Sequence, residues 1–377
     1  MCKKDFTNFQ KRKGLNLIMN TRNGSLPPRS RGQQSGVRRP AEPSSKKAVR
    51  KKKPGFWARL GRMLLMLILL SALVMVGYSL YLYYKLDSSV LDTGVDKPVA
   101  AGNSAKVKPL TVLLLGTDYR PKHKSYLTDV IMVASLNPQT ESATIVSLPR
   151  DTFMELDGYK RTKINAFYPR FKVKEETSGI SAEDEMKTMM GKYLGVKIDY
   201  VTVINFQGFR EAVDELGGVK VNISEDMCYT DSVDGTDINL KKGPAELKGD
   251  DALDYVRYRK SNCKPETKPS DDLDRNRRQS EVLHSLMDQM QSLGGAVKIG
   301  GVLDAINDNM KTDIEKDQIK NLIAAYWKMS KDNVEFKPVT GTWRSPYVYI
   351  NEESLNAAKQ SLRDRLAGAA PAASAAQ

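Results

Sequence analysis

The sequence is poor in the residues that build most metal centres and covalent catalytic sites. Three cysteines, Cys2, Cys228 and Cys263, are too few for a disulfide scaffold, and no C-x-x-C pair offers a zinc site. Two histidines, His123 and His284, give little basis for a histidine metal centre or a Ser-His-Asp triad. There is no Walker loop, no G-x-S-x-G elbow, no G-x-G-x-x-G and no H-E-x-x-H. The bulk of the chain also lacks excess positive charge. The 377 residues sum to +14, but residues 1–62 hold 18 Lys and Arg against only Asp5 and Glu42, which is +16. The remainder therefore sits at −2, and no nucleic-acid partner is expected. Residues 1–62 themselves show dispersed basic residues and no helix-turn-helix pattern.

What is present is one long apolar run. Met63–Tyr84 contains no charge and is bounded by Arg62 and Lys85. As a helix, 22 residues reach roughly 33 Å, enough for a hydrocarbon core of about 30 Å. Tyr78, Tyr81, Tyr83 and Tyr84 cluster at one end and Trp57 precedes the other, as interfacial aromatics do. The run is too long for a signal-peptide core and lacks a small-residue cleavage site, so an uncleaved anchor is expected. Basic residues next to it predict that residues 1–62 are a disordered cytoplasmic segment and that the rest lies outside the cell membrane.

Residues 85–108 have linker composition, and residues 366–377 form a low-complexity tail expected to be disordered. Between them, residues 109–365 alternate strand-like and helix-like segments. LTVLLLG, DVIMVASLN and SATIVSLPRD read as strands, as do VTVINF and GVKVNIS. Ala182–Leu194, Gly208–Leu216 and a segment from Leu273 to about Leu293 read as helices. Asp226 to Lys242 reads as a loop-rich insert. The order predicts an α/β fold, a three-layer α/β/α domain with a mixed central sheet.

Polar residues gather at the ends of these elements. Asp118 and Arg120 follow a buried strand, where open α/β sheets place ligands. Asp129, Arg150, Asp151, Lys163 and Asn165 come next. Arg257 and Arg259, two apart, share a face if the chain there is extended. Asp272 precedes Arg275, Arg278 and Gln279, which converge on one helical patch. Carboxylates suit Mg²⁺, completed by substrate phosphates, and guanidinium groups clamp phosphate oxygens. Each residue taken singly also has a structural reading, as a turn cap or an exposed charged edge.

The ordered motifs LLLGTDYR, Asp129, SLPRDT, KINAFY, INFQGF, ELGGVKV, ALDYVRYR and DLDRNRRQ resemble those of the LytR–CpsA–Psr cell-wall glycopolymer ligases, over roughly Leu110 to Val282. The resemblance implies an extracytoplasmic phosphotransferase. Such an enzyme moves a polyprenyl-pyrophosphate-linked polymer, of teichoic-acid or capsule type, onto a peptidoglycan hydroxyl. It implies Mg²⁺ at Asp118 and Asp129, and pyrophosphate contacts from Arg120, Arg150, Lys163, Asn165, Arg257, Arg259, Arg275, Arg278 and Gln279. Asp151 and Asp272 are candidates for the base, alongside Arg150 in the catalytic set. One departure stands out. The family carries Arg two residues before the second metal Asp, whereas this chain has Leu127, with Lys122 and Lys124 nearby as replacements, and Val130 stands where the motif ends in Thr. The lipid tail requires an apolar channel, for which Met186, Met189, Met190 and Leu194 are candidates, although their helical spacing equally fits plain core. A membrane-anchored binding or regulatory protein with little catalysis, and a simple pyrophosphatase, would use the same phosphate site. Whether Cys228 and Cys263 pair is left open by the sequence.

Overall fold

A strand that is apolar at nearly every position must be covered on both faces, and the fold covers it with two helical layers. The computed structural model describes residues 56–120, 125–232, 235–264, 270, 272–292 and 295–369. The chain divides into two units, Met1–Leu64 and Leu65–Gln377, and of the first only the start of one helix is described.

That helix, α1 (Phe56–Thr93), contains the stretch Leu64–Lys85, long and apolar enough to cross a membrane. Its described apolar side chains are exposed, Leu73 by 71 % and Met66 by 70 %. The helix runs nine residues beyond the expected end at Tyr84. The following segment is not a free linker either. Val95 N–H donates to Ile314 O at 2.9 Å, and the buried Ala105 N–H donates to Gln318 Oε1 at 3.0 Å. Small apolar side chains and backbone hydrogen bonds suffice to dock a stretch whose composition reads as linker.

The central sheet comprises β1 (Leu110–Arg120), β2 (Ser125–Asn137), β3 (Ser142–Ser147) and, after two short strands β4 (Phe153–Met154) and β5 (Thr162–Lys163), β6 (Tyr200–Asn205). Two more strands lie far along the chain, β11 (Met310–Thr312) and β12 (Val334–Pro338). The sheet order is β11-β6-β1-β2-β3-β12. β1 runs parallel to β6 and β3 to β12, while the other neighbours are antiparallel, so the sheet is mixed as expected.

One face packs on α2 (Phe167–Ser178), α3 (Ala182–Leu194) and α9 (Glu352–Leu366). Leu113, Leu115, Ile131 and Val133 of the sheet meet Met186, Met189, Met190 and Leu194 of α3 there, all fully buried in one cluster. The four α3 residues are therefore core and line no channel.

Over the other face lie α4 (Phe206–Leu216), α5 (Gly249–Arg257), α6 (Asp272–Gln291) and α7 (Gly295–Ile306). Of these, α4, α5 and α6 enclose a second core with β7 (Val219–Ile223), β8 (Met227–Asp231), β9 (Thr236–Leu240) and β10 (Gly243–Leu247). The expected insert at 226–242 is thus largely the hairpin β8–β9, because Met227, Ile238 and Leu240 point into this core. α8 (Lys316–Tyr326) packs with the segment that follows α1. β13 (Gly341–Arg344) and β14 (Tyr347–Ile350) form a hairpin ahead of α9. The domain thus extends through α9, where the buried Arg365 donates to Ser142 Oγ at 2.8 Å.

Candidate active site

Strand pairing positions the first carboxylate. Gly116 pairs with Val130 but Thr117 with Thr128, so Asp129 is the extra residue of a β-bulge. A bulge bends its strand and re-aims a side chain. Glycine at 116 is required for this geometry, since a Cβ there would lie 2.8 Å from the Val130 Cβ. Asp118 lies two residues further along β1, opposite Leu127, at the same end of the sheet.

The bulge opens onto a cavity of about 560 Å³ between the sheet and α4–α6, within the range of small-molecule sites. Its walls are apolar, built from Leu114 and Met132 of the sheet, Phe206 and Phe209 of α4, and Val282 and Leu286 of α6. Its polar side carries Asp129, Arg150, Arg257, Arg259 and Arg275, with the neutral amide of Gln279 beside them. The INFQGF motif explains one wall. Asn205 caps α4 by accepting from Gly208 N–H at 2.9 Å, and a Cβ on Gly208 would lie 2.9 Å from both Ile204 and Asn309. Phe206 and Phe209, three apart, then share the wall. These aromatics carry no charge and were not singled out by sequence reasoning, although the i, i+3 spacing was there to be read.

Arg257 and Arg259 reach the cavity differently from the extended reading. Arg257 is the last residue of α5, and Tyr258 leaves the helix in extended conformation, φ −52° and ψ 134°. The Arg257 guanidinium lies 4.9 Å from the Phe206 ring centroid, a cation–π contact at the cavity wall. Arg278 is a second difference. It is 1 % exposed, and its guanidinium donates to Tyr255 O at 2.8 Å and Tyr258 O at 2.9 Å. Last-turn carbonyls of a helix have no partner within the helix, and here they are buried, so Arg278 supplies the donors. It is therefore a positioning residue for Arg257 and Arg259 and does not line the cavity.

Arg150 pairs with Asp129 on one side and approaches Asp151 Oδ2 at 3.6 Å on the other. Asp151 is 8 % exposed and also accepts from Lys163 Nζ at 2.9 Å, with Arg259 at 3.6 Å. Burial alone would raise its pKa. The Lys163 hydrogen bond and the charges of Arg150, Lys163 and Arg259 outweigh that and hold it below the usual carboxylate value. A carboxylate held ionised by three cations is a weak proton acceptor, so Asp151 fits an anchor for the cations better than a general base. Gln279 accepts from Ser147 Oγ at 3.4 Å. Asn165 is buried, and its N–H donates to Arg150 O at 3.2 Å, supporting the turn that carries Arg150.

Several expected residues fall partly or wholly outside the described set. The backbone of Arg120 ends β1 and that of Asp272 begins α6, while Lys122 and Lys124 lie outside the described residues. Leu127 is 44 % exposed. Cys228 and Cys263 form a disulfide with Cα atoms 5.7 Å apart, tying β8 to the segment after Arg259. Among the described residues no group of three or more His, Cys, Asp or Glu could hold a metal. Asp129 lines the cavity, and Asp118 lies at the same end of the sheet on the neighbouring strand without being part of the lining.

The model of the LytR_cpsA_psr family matches residues 77–364. The chain belongs to this family. Among the relatives of this LytR_cpsA_psr protein is the polyisoprenyl-teichoic acid–peptidoglycan teichoic acid transferase TagU of Bacillus mycoides (strain KBAB4), 31 % identical over 313 residues, covering 78 % of this chain and 93 % of the relative. The crystal structure of B. subtilis TagV superposes with a TM-score of 0.55 at 28 % identity, covering 71 % of this chain and 100 % of that one. A structure of TagT bound to LIIa-WTA gives 0.53 at 25 % identity, covering 73 % and 96 %.

Proposed function

We propose that this protein is a membrane-anchored phosphotransferase that moves a teichoic-acid-type anionic glycopolymer from a polyprenyl-pyrophosphate carrier onto peptidoglycan. The observation that carries the reading is the union of two chemistries in one cavity. Apolar walls of Leu114, Phe206, Phe209 and Leu286 suit a prenyl chain, and the arginines at the charged side suit its pyrophosphate. The names of the relatives support the same substrate class.

The acceptor hydroxyl oxygen attacks the phosphorus on the glycopolymer side. The new P–O bond forms as the bond to polyprenyl phosphate breaks, and the hydroxyl proton leaves to solvent or a nearby base. Arg150, Arg257, Arg259 and Arg275 neutralise the charge that builds on the bridging and terminal oxygens. Asp151 and Lys163 hold Arg150 and Arg259 in place, and Arg278 holds the chain that carries Arg257 and Arg259. Mg²⁺ would be held by Asp118, Asp129 and phosphate oxygens, where it supplies Lewis-acid stabilisation of the leaving phosphate. The apolar stretch of α1 and the basic residues before it support a single-pass anchor with the N-terminus cytoplasmic and the catalytic domain outside.

The test is reconstitution of the full chain in detergent with a polyprenyl-pyrophosphate-linked polymer and peptidoglycan fragments. Polymer covalently attached to the fragments supports the reading. Release of polymer phosphate to water alone identifies a pyrophosphatase, and binding without turnover identifies a carrier-binding protein.

A further inference from the structure

The cavity accounts for the donor, and an aromatic hairpin is fastened beside its charged side. Trp343, on the β13–β14 hairpin, is 54 % exposed, and Tyr349 on the same hairpin is 39 % exposed. Phe153 packs at 5.0 Å from Tyr347 and 5.4 Å from Tyr349, and the Arg344 guanidinium lies 5.7 Å from the Tyr349 ring. This hairpin is fastened to the phosphate site. Val348 N–H donates to Asp151 O at 2.9 Å, and Lys163 Nζ lies 2.9 Å from Asp151 Oδ1 and 5.8 Å from the Trp343 ring. A continuous path therefore runs from Arg150 at the cavity through Asp151 and Lys163 to Trp343.

We infer that the β13–β14 hairpin is the platform for the acceptor glycan, with Trp343 stacking on a pyranose ring, while Tyr349, which the strand register places on the opposite face, packs against Phe153 and Arg344. The inference rests on the transferase reading above. Displacement at phosphorus places the attacking and leaving oxygens roughly in line. With the prenyl group leaving into the apolar cavity, the nucleophile arrives from outside it, and the hairpin contributes no residue to the cavity lining. The exposed Trp343 ring with Lys163 beside it suits a ligand that has apolar C–H faces and polar edges at once, which describes a hexose chain.

The experiment uses the full chain in detergent and a soluble β-1,4-linked N-acetylglucosamine hexamer as probe. Binding is read by ligand-detected saturation-transfer NMR, which requires no turnover. The wild type is expected to bind the hexamer, Trp343→Ala to weaken it at least tenfold, and Trp343→Phe to retain part of it. In the ligation assay Trp343→Ala raises the acceptor KM at least tenfold with the donor KM unmoved, whereas Tyr349→Ala, on the opposite face, raises it far less. No hexamer binding by the wild type overturns the inference, and so does undiminished binding by Trp343→Ala. A parallel rise in donor KM assigns the hairpin to general support of the site and also overturns it. Loss of adhesion to phosphatidylglycerol vesicles by Trp343→Ala, without hexamer binding, makes the hairpin a membrane contact instead. If hexamer binding follows the expected order but no donor is turned over, the platform stands and the transferase reading fails.

Discussion

The two faces of one central sheet have opposite interiors. On the α2–α3–α9 side, Leu113, Leu115, Ile131 and Val133 meet methionines and phenylalanines with no solvent access. On the α4–α6 side, the alternate residues Leu114, Gly116, Val130 and Met132 face a cavity of about 560 Å³. The strands are the same, and only the parity of the position differs. The closed side gives stability through packing. The open side keeps apolar surface exposed to a ligand because α5 and α6 are held on a separate core, built with β7–β10, rather than pressed onto the sheet.

The strongest challenge to this contrast is at the arginines of the open side. Arg257→Ala combined with Arg259→Ala should lower ligation by roughly two to four decades, since each charge-assisted hydrogen bond contributes about 1.5–3 kcal/mol. The folded state, followed by circular dichroism, should persist. Near-normal rates would remove both from the phosphate site. Asp129→Ala should also abolish any Mg²⁺ dependence, measured by titrating the chelated enzyme with Mg²⁺.

Filling each face should separate them further. Ala212→Trp places an indole in the cavity and should raise the KM of long-chain prenyl donors at least tenfold, with short-chain donors affected less. Met189→Ala on the closed face should leave donor chain-length preference alone while costing about 2–5 kcal/mol in denaturant unfolding. If Met189→Ala shifted that preference, the closed face would not be closed.

A smaller effect is expected from Leu127→Arg, which installs the arginine that the motif resemblance implies at this position. One added phosphate contact should speed ligation by about one to two decades. Loss of activity instead would mean that the pocket has been rebuilt around an apolar side chain for a different donor.

The smallest effect concerns pH. Burial pushes Asp254 of α5 up to about 6, with Arg257 opposing. Its folded pKa exceeds the unfolded one, so the folded state binds the extra proton and stability falls as pH rises from about 4 to 6. Asp254→Asn should therefore raise Tm by a few degrees at pH 7 and change nothing near pH 3.5. Asp151 has the opposite sign. Its lowered pKa contributes stability at neutral pH that is lost as pH falls below the ordinary carboxylate range.

Much of the fold was legible because local pattern and environment agree. The continuous apolar run at Leu110–Leu115 reads as a strand covered on both faces, and the stop at Gly217-Gly218 ends α4 with Gly217 at φ 94°. Residues 226–242 were misread as loop because their short strands carry polar and turn residues and are fixed only by facing α5 and α6. Residues 85–108 were misread as linker because their docking depends on backbone groups, which composition does not record.

The sequence alone determined the helix long and apolar enough to cross a membrane, the alternation of the sheet and the set of chemical groups available to a phosphate, because these follow from residue type and spacing. Tertiary structure decided which of those groups act together. Arg278 and Arg275 are three residues apart on one helix, yet one is buried against the α5 carbonyls and the other lines the cavity. Met189 and Met132 are the same residue type, yet one is core and the other a cavity wall. The pairing of Cys228 with Cys263 across 35 residues was settled the same way. The physical reason is common to all three cases. Burial, ion pairing and cross-linking depend on what another part of the chain brings within a few ångströms, and sequence spacing fixes that distance only within a single helix or strand.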